Sequence, residues 1–176
     1  MKNNRIQSFS TLQVGLFGFL FTVALIILDQ LTKYLAVIRL KNNPSVPIIK
    51  DVFELAYLEN RGAAFGMLQG KLDLFIPLTI IMCLFFAYIF FVLPNDRKFM
   101  AIRIILCFIF AGAVGNFIDR LFHGYVIDFL YFKLINFPVF NVADIYITCS
   151  AFVFAFLLFF YYKDEDLEKI HLFKKG

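Results

Sequence analysis

Four apolar runs constrain this chain more than any other feature. A helix needs about 20 mostly apolar residues to cross a bilayer. Backbone groups in hydrocarbon must pair within their own segment, which favours helix over open strand. The runs cover 12–38, 72–93, 100–122 and 145–162. The second has Pro77 near its start, where a first-turn proline is tolerated. The expectation is an all-α membrane protein: four transmembrane helices in one integral membrane domain, 1–176, with outer segments 39–71 and 123–144. Composition supports this, because 61% of the residues are apolar where soluble domains run at about 45–50% with Gly included. Lys2 and Arg5 precede the first run as they would a signal peptide. Its apolar stretch is too long, and no small-residue cleavage site follows, so an uncleaved anchor is expected.

Orientation follows from the loops. Four spans put both termini on one side. That side would hold Lys2, Arg5, Arg97, Lys98, Arg103, Lys163, Lys169, Lys174 and Lys175, nine basic residues against seven in the longer loops opposite. Dense clusters beside span ends carry most weight, so both termini are expected in the cytoplasm. The net charge of +4 is scattered or flanks apolar runs, a pattern suited to lipid headgroups and not to nucleic acid. Cys83, Cys107 and Cys149 all lie in apolar runs without a CxxC, so they read as small hydrophobes and not as disulfides.

Within 39–71, residues Ile48 to Leu58 alternate in part (Ile49, Asp51, Phe53, Leu55 and Tyr57 on one parity), which reads as a short strand or hairpin. The segment from His123 to Val139 is rich in aromatics and suits the membrane interface. The charged tail after Lys163 reads as a frayed helix.

Two aspartates border these apolar runs: Asp128 in Val126-Ile127-Asp128-Phe129 and Asp144 in Phe140-Asn141-Val142-Ala143-Asp144. An acid at a membrane-helix centre costs roughly 2.5–3.5 kcal/mol, so an intramembrane carboxylate marks a functional site by default. Two of them, with no metal-binding set, suggest carboxyls sharing a proton, as in an aspartic protease. Asn141 and Asp144 equally fit a plain helix cap, Asn at the N-cap and an acid three residues on. A helix N-terminus favours charge at Asp144 and an apolar setting disfavours it at Asp128, which is how acid and base roles become separated. Which aspartate holds the proton stays open at this point.

The other polar groups each carry two readings. Asp29 and Lys33 share a helix face, either as a structural ion pair or as a prop for the site. Asn60-Arg61-Gly62-Ala63-Ala64-Phe65-Gly66 is a turn into a helix or part of the site. Ala111-Gly112-Ala113-Val114-Gly115 is a close-packing face, but packing does not explain Asn116, Asp119 and Arg120 at its end. Arg120 could hold a carboxylate or a lipid phosphate. HExxH, GxSxG, GxGD and GxxxxGK[ST] are all absent from the sequence, which removes the usual metal, serine, presenilin-like and nucleotide sites. No metal or cofactor is expected.

Five motifs in order, from Asp29 to Asp144, resemble those of lipoprotein signal peptidase, the signal peptidase II family of bacteria. Asp29-Gln30-Leu31-Thr32-Lys33 resembles DQxTK, Asn60 to Phe65 NxGAAF, Gly112 to Arg120 GAxGNxxDR, Val126 to Phe129 VxDF, and Phe140 to Asp144 FNxAD. Gly66, Ala111 and Ile145 depart from the usual Ser, Gly and Ser, which bears on fine contacts and removes no carboxylate. The resemblance implies an aspartyl endopeptidase of the bacterial cytoplasmic membrane that frees signal peptides from prolipoproteins by cutting before a diacylglyceryl cysteine. It implies Asp128 and Asp144 as the catalytic dyad. Asn60, Gly62, Asn116, Arg120 and Asn141 would line or support the site, and Asp29 and Lys33 would support it from the first span. A small extracytoplasmic β-platform, inhibition by globomycin, a site near the outer face and action as a monomer are implied with it. The alternative from another class is a small transporter or proton relay, which needs carboxylates spread along a path through the bilayer.

Overall fold

The computed structural model describes residues 10–62 and 72–170. The readings that rest on Lys2, Arg5, Ala63 to Phe65, Gly66, Lys174 and Lys175 lie outside these residues. The chain runs α1 (Thr11–Leu40), β1 (Val46–Ile49), β2 (Phe53–Asn60), α2 (Leu72–Val92), α3 (Met100–His123), β3 (Val126–Tyr131), α4 (Val142–Phe160) and α5 (Asp164–Leu167), with 3-10 turns at Arg97–Phe99 and Lys133–Ile135. α1, the Arg97–His123 stretch containing α3, and α4 are each long and apolar enough to cross a membrane; the apolar Ile76–Val92 stretch of α2 is shorter. The protein is thus mostly helical, with a small three-stranded sheet.

Local signals set the helix boundaries. Ser10 caps α1 through a capping box with Gln13. Gly124, at φ 77°, ends α3 in the left-handed region and turns the chain into β3. Asn141 caps α4, so this helix starts at Val142, earlier than the expected 145, and Asp144 lies in its first turn. α3 lies against α1, α2 and α4.

The sheet runs β1-β2-β3, antiparallel throughout. The hairpin expected over Ile48 to Leu58 is present but longer, and its turn at Lys50-Asp51 breaks the single parity of that segment. Asp51 takes φ 59° in the turn, a conformation Asp tolerates. β3 is an addition to the expectation: the 123–144 segment is not merely an interfacial loop. Its near-continuous apolar run hides strand periodicity because both faces are buried. Ile127 and Phe129 pack on Ala36 and Leu40 of α1, together with Leu55 and Tyr57 of β2. The sheet therefore sits beside the last turn of a helix long and apolar enough to cross a membrane.

At the opposite end of the bundle, Phe99, Leu106, Cys107 and Tyr162 form a second core. Arg103 is buried there and donates to the carbonyls of Phe90, Leu93 and Pro94, closing the end of α2. The described part of the charged tail, up to Ile170, is held, not frayed: Asp166 is buried and pairs with Lys98, and the Tyr162 hydroxyl donates to the Lys98 carbonyl at 2.7 Å.

Candidate active site

Strand alternation and a helix cap bring the two aspartates to one cavity. In β3, Val126 and Asp128 face away from α1, since Ile127 and Phe129 are spent on it. Asp144 opens the face of α4 that continues with Ile145, Thr148 and Cys149. Val126, Asp128 and this α4 face all line a cavity of about 680 Å³.

The amides around the aspartates leave little freedom. Asn60 ends β2 diagonally across from Asp128, whose ladder partner is Leu58. The Asn60 side-chain Oδ1 accepts from the Gly62 backbone N–H at 3.0 Å, which aims its Nδ2 at Asp128 Oδ2, 2.9 Å away. Asn141 Nδ2 donates to Asp128 Oδ1 at 2.6 Å and to Asn116 Oδ1 at 3.1 Å. Asn116 Nδ2 in turn donates to Asp144 Oδ1 at 2.8 Å. Asp144 Oδ2 accepts from the Asn141 backbone N–H at 3.1 Å, completing the capping box. The cap reading of Asn141 and Asp144 holds, and the same two residues carry the hydrogen bonds that link them to Asp128 and Asn116.

Beneath the amides lies a buried ion triad. Lys33 Nζ is 3.0 Å from Asp29 Oδ2 and 2.9 Å from Asp119 Oδ2, and it donates to Asn116 Oδ1 at 2.9 Å. Lys33, Asp29 and Asp119 are all at most 1% exposed, so Lys33 holds the site from below and does not reach a substrate. Asp29 Oδ1 accepts from the Ala143 backbone N–H at 2.9 Å, satisfying one of the free amides at the start of α4. Asp119 Oδ2 accepts from the Ile127 backbone N–H at 3.0 Å, fixing β3 next to Asp128. Gln30 donates to Asp29, Asp119 and the Gly115 carbonyl.

Gln30 was only a motif letter in the sequence, and Asp119 was marked there as unexplained by packing but given no role. Their signal was polarity on the buried side of an apolar span. The glycines have a specific reason here. A Cβ on Gly115 would lie 2.4 Å from Asp29 Oδ2, and one on Gly112 2.6 Å from the Ala143 carbonyl oxygen. Any side chain would push α3 away from α1 or α4.

Arg120 Nη2 donates to the Gly62 carbonyl at 3.2 Å and Nη1 to its own helix at Asn116 O, 3.3 Å. It ties α3 to the exit of β2, and its charge acts on both Asp144 and Asp128. All the expected supporting residues (Asp29, Lys33, Asn60, Gly62, Asn116, Arg120 and Asn141) fall in this one network. Of the departures from the family pattern, Ile145 lines the cavity, while Ala111 is packed with Leu25 and Tyr146 away from it.

Burial, followed by the nearby charge of Asp144, raises the Asp128 carboxyl to about 7, against smaller opposing effects of Asn60, Asn141 and Lys33. One carboxyl poised to hold a proton near neutrality thus shares a cavity with a second carboxyl. No group of His, Cys, Asp and Glu suited to a metal ion occurs among the described residues.

The profile described as signal peptidase (SPase) II matches residues 21–160. The lipoprotein signal peptidase of Caldanaerobacter subterraneus subsp. tengcongensis is 46% identical over 136 residues, covering 77% of this chain and 90% of that protein. That of Brevibacillus brevis is 43% identical over 133 residues, covering 76% and 88%. A solved bacterial membrane enzyme is similar with a TM-score of 0.72 at 32% identity, over 81% of this chain and 87% of its own. The chain belongs to the signal peptidase II family, a family of aspartic proteases.

Proposed function

We propose that this chain is the aspartic endopeptidase that removes signal peptides from prolipoproteins, cutting before a diacylglyceryl-modified cysteine, with Asp128 and Asp144 as its catalytic dyad. The observation that carries this reading is the pair of carboxyls on one cavity, joined through Asn141 and Asn116, with Asp128 raised to about 7. Asp128 holds the shared proton and Asp144 acts as the base. Asp144 takes a proton from a water whose oxygen bonds to the scissile carbonyl carbon, while the Asp128 proton hydrogen-bonds the carbonyl oxygen. Collapse of the tetrahedral intermediate breaks the C–N bond. The proton taken by Asp144 passes to the leaving amine, which restores the dyad. Asn60, Asn116 and Asn141 orient the carboxyls, and Arg120, Gly62, Asp29 and Lys33 hold those amides in place.

In this reading 1–176 form one domain of four spans in the bacterial cytoplasmic membrane, with both termini cytoplasmic and the site near the outer face. The cysteine's acyl chains stay in the bilayer while its peptide bond reaches the dyad, and their burial contributes about 0.8 kcal/mol per CH₂. Membrane lipids are thus partners of the reaction, the same cavity accepts globomycin-type inhibitors, and the chain works as a monomer. The transporter reading is not favoured. Asp29, Asp119, Asp128 and Asp144 gather at one end of the bundle, and the buried charges at the other end close on α2 and the tail.

The test is cleavage of a diacylglyceryl-modified precursor by wild type, Asp128→Asn and Asp144→Asn. Loss of cleavage in both variants is expected. Substantial cleavage by either sinks the dyad. Equal cleavage of the unmodified precursor sinks the demand for lipid.

A further inference from the structure

Away from the cavity, the sheet ends in an apolar tip that nothing among the described residues covers. Every residue of β1 is exposed. Ile48 and Ile49 are each 56% exposed, and Leu134 and Ile135 on the following 3-10 turn each 68%. The two segments are neighbours, since the Leu134 backbone N–H donates to the Val52 carbonyl at 3.3 Å and the Phe53 and Phe132 rings meet at 4.9 Å. Apolar side chains gathered at such a tip call for a partner.

The partner's chemistry follows from three observations. The sheet packs beside Ala36 and Leu40 in the last turn of α1, so it lies level with the end of a span whose own Leu35 and Ile38 face outward at 46% and 49% exposure. The tip therefore continues a surface already turned to lipid. Strand addition by a peptide is disfavoured, because Pro47 removes a donor from the β1 edge and a register shift follows it between Pro47 and Ile49. The charges at the tip also balance: Lys133 is paired with Glu54 at 3.2 Å, and Lys50 stands beside Asp51. That suits the headgroup–acyl boundary of a bilayer and needs no strongly charged partner.

We propose that Ile48, Ile49, Leu134 and Ile135 form a wedge set into the bilayer interface on the side where the cavity opens. The wedge fixes the depth of the catalytic strand. β2 and β3 run from this tip, at Phe53 and Tyr131, to the site, at Asn60 and Val126. Anchoring one end of the two strands holds Asp128 at the level of a peptide bond whose lipid tails stay in the membrane. The inference rests on the membrane placement proposed above, but its first readout does not depend on cleavage.

The chain contains no tryptophan, so a single one reports its own surroundings. Ile49→Trp and Leu134→Trp, in vesicles of zwitterionic lipid brominated near the headgroup, should be blue-shifted and quenched. Phe152→Trp on the exposed face of α4 serves as the in-bilayer reference and Glu165→Trp as the aqueous one. Emission at either tip position matching the aqueous reference overturns the wedge. A polar variant, Ile48→Ser with Ile49→Ser and Leu134→Ser, touches no cavity residue. It should lower cleavage of the lipid-modified substrate about tenfold in vesicles and leave cleavage in detergent micelles unchanged. An equal loss in both media, or no loss in vesicles, refutes the depth-setting role. Failure of the dyad variants to abolish cleavage would leave the fluorescence result standing.

Discussion

Replacing Lys33 with methionine removes one positive charge and keeps most of the side-chain volume. The ammonium lies 3.0 Å from Asp29 and 2.9 Å from Asp119, all three groups being buried. Deleting one partner of a buried pair costs about 3–5 kcal/mol, because the other charge stays enclosed. Here two carboxylates are stranded by one substitution, which points to the upper end. For a chain of this size 1 kcal/mol moves the melting temperature by about 2–4 °C, so a fall of about 10–20 °C is expected, followed by helix circular dichroism of the purified protein in detergent. Asn116 also loses one of the two donors to its oxygen. A slip of about 1 Å at Asp144 is enough for roughly a 100-fold loss of cleavage. The double variant Lys33→Met with Asp119→Asn removes one stranded charge and should melt above the single variant. Lys33→Met melting within about 2 °C of wild type with full cleavage would refute the triad as the support of the site.

Other expectations follow from the same geometry. Asp128 must keep its proton to act as the acid, so kcat/KM should fall tenfold per pH unit above about 7; a profile flat to pH 9 contradicts the assignment. The same raised carboxyl contributes stability that is fully present below its unfolded pKa of 3.8 and is lost as pH rises through about 7. Asp128→Asn does not titrate, so its stability relative to wild type should climb from about pH 4 to about pH 7, by an amount on the order of 4 kcal/mol in total, followed as a rise in relative melting temperature. Gly115→Ala puts a Cβ against Asp29 Oδ2 and should cost about 1–3 kcal/mol, with cleavage falling at unchanged helix content; a neutral result denies the close approach of α3 and α1. Asn141→Ala loses the α4 cap and the bond to Asp128, and should lower kcat by roughly 100-fold or more while costing about 1 kcal/mol of stability.

The apolar helices were legible because a requirement for length and apolarity acts on every residue of such a helix at once. Their ends were less so: α4 starts three residues before the expected 145, since Asn141 caps it and draws Asp144 into the first turn. β3 went unread because both its faces are buried, which erases alternation. The hairpin of β1 and β2 was read one-sidedly for the opposite reason: β1 is exposed on both faces, and only β2 alternates against the core. Motif order singled out the residues that gather in one network at the cavity, but spacing could not say that Lys33 is enclosed or that Arg120 binds a backbone carbonyl. Those facts depend on which helices touch. The two glycines of α3 decide that contact, through atoms that are not there.

An ammonium group can only donate hydrogen bonds, and this has a reach beyond Lys33 itself. Because Lys33 donates to Asn116 Oδ1, the Asn116 amide cannot flip, and its nitrogen must be the end that meets Asp144. Because that same oxygen is an acceptor, Asn141 must present its nitrogen to it, and with it to Asp128. The Asn141 oxygen is left for the Asp144 backbone N–H. One cation thus sets the sense of the Asn116 and Asn141 amides that link the two carboxyls, like the first tile in a row that fits only one way round, while Asn60 is set separately by the Gly62 N–H. Each carboxyl receives donors from the protein side and keeps its remaining lone pairs toward the cavity. A substitution that reversed a single amide would have to reverse the whole row or break it.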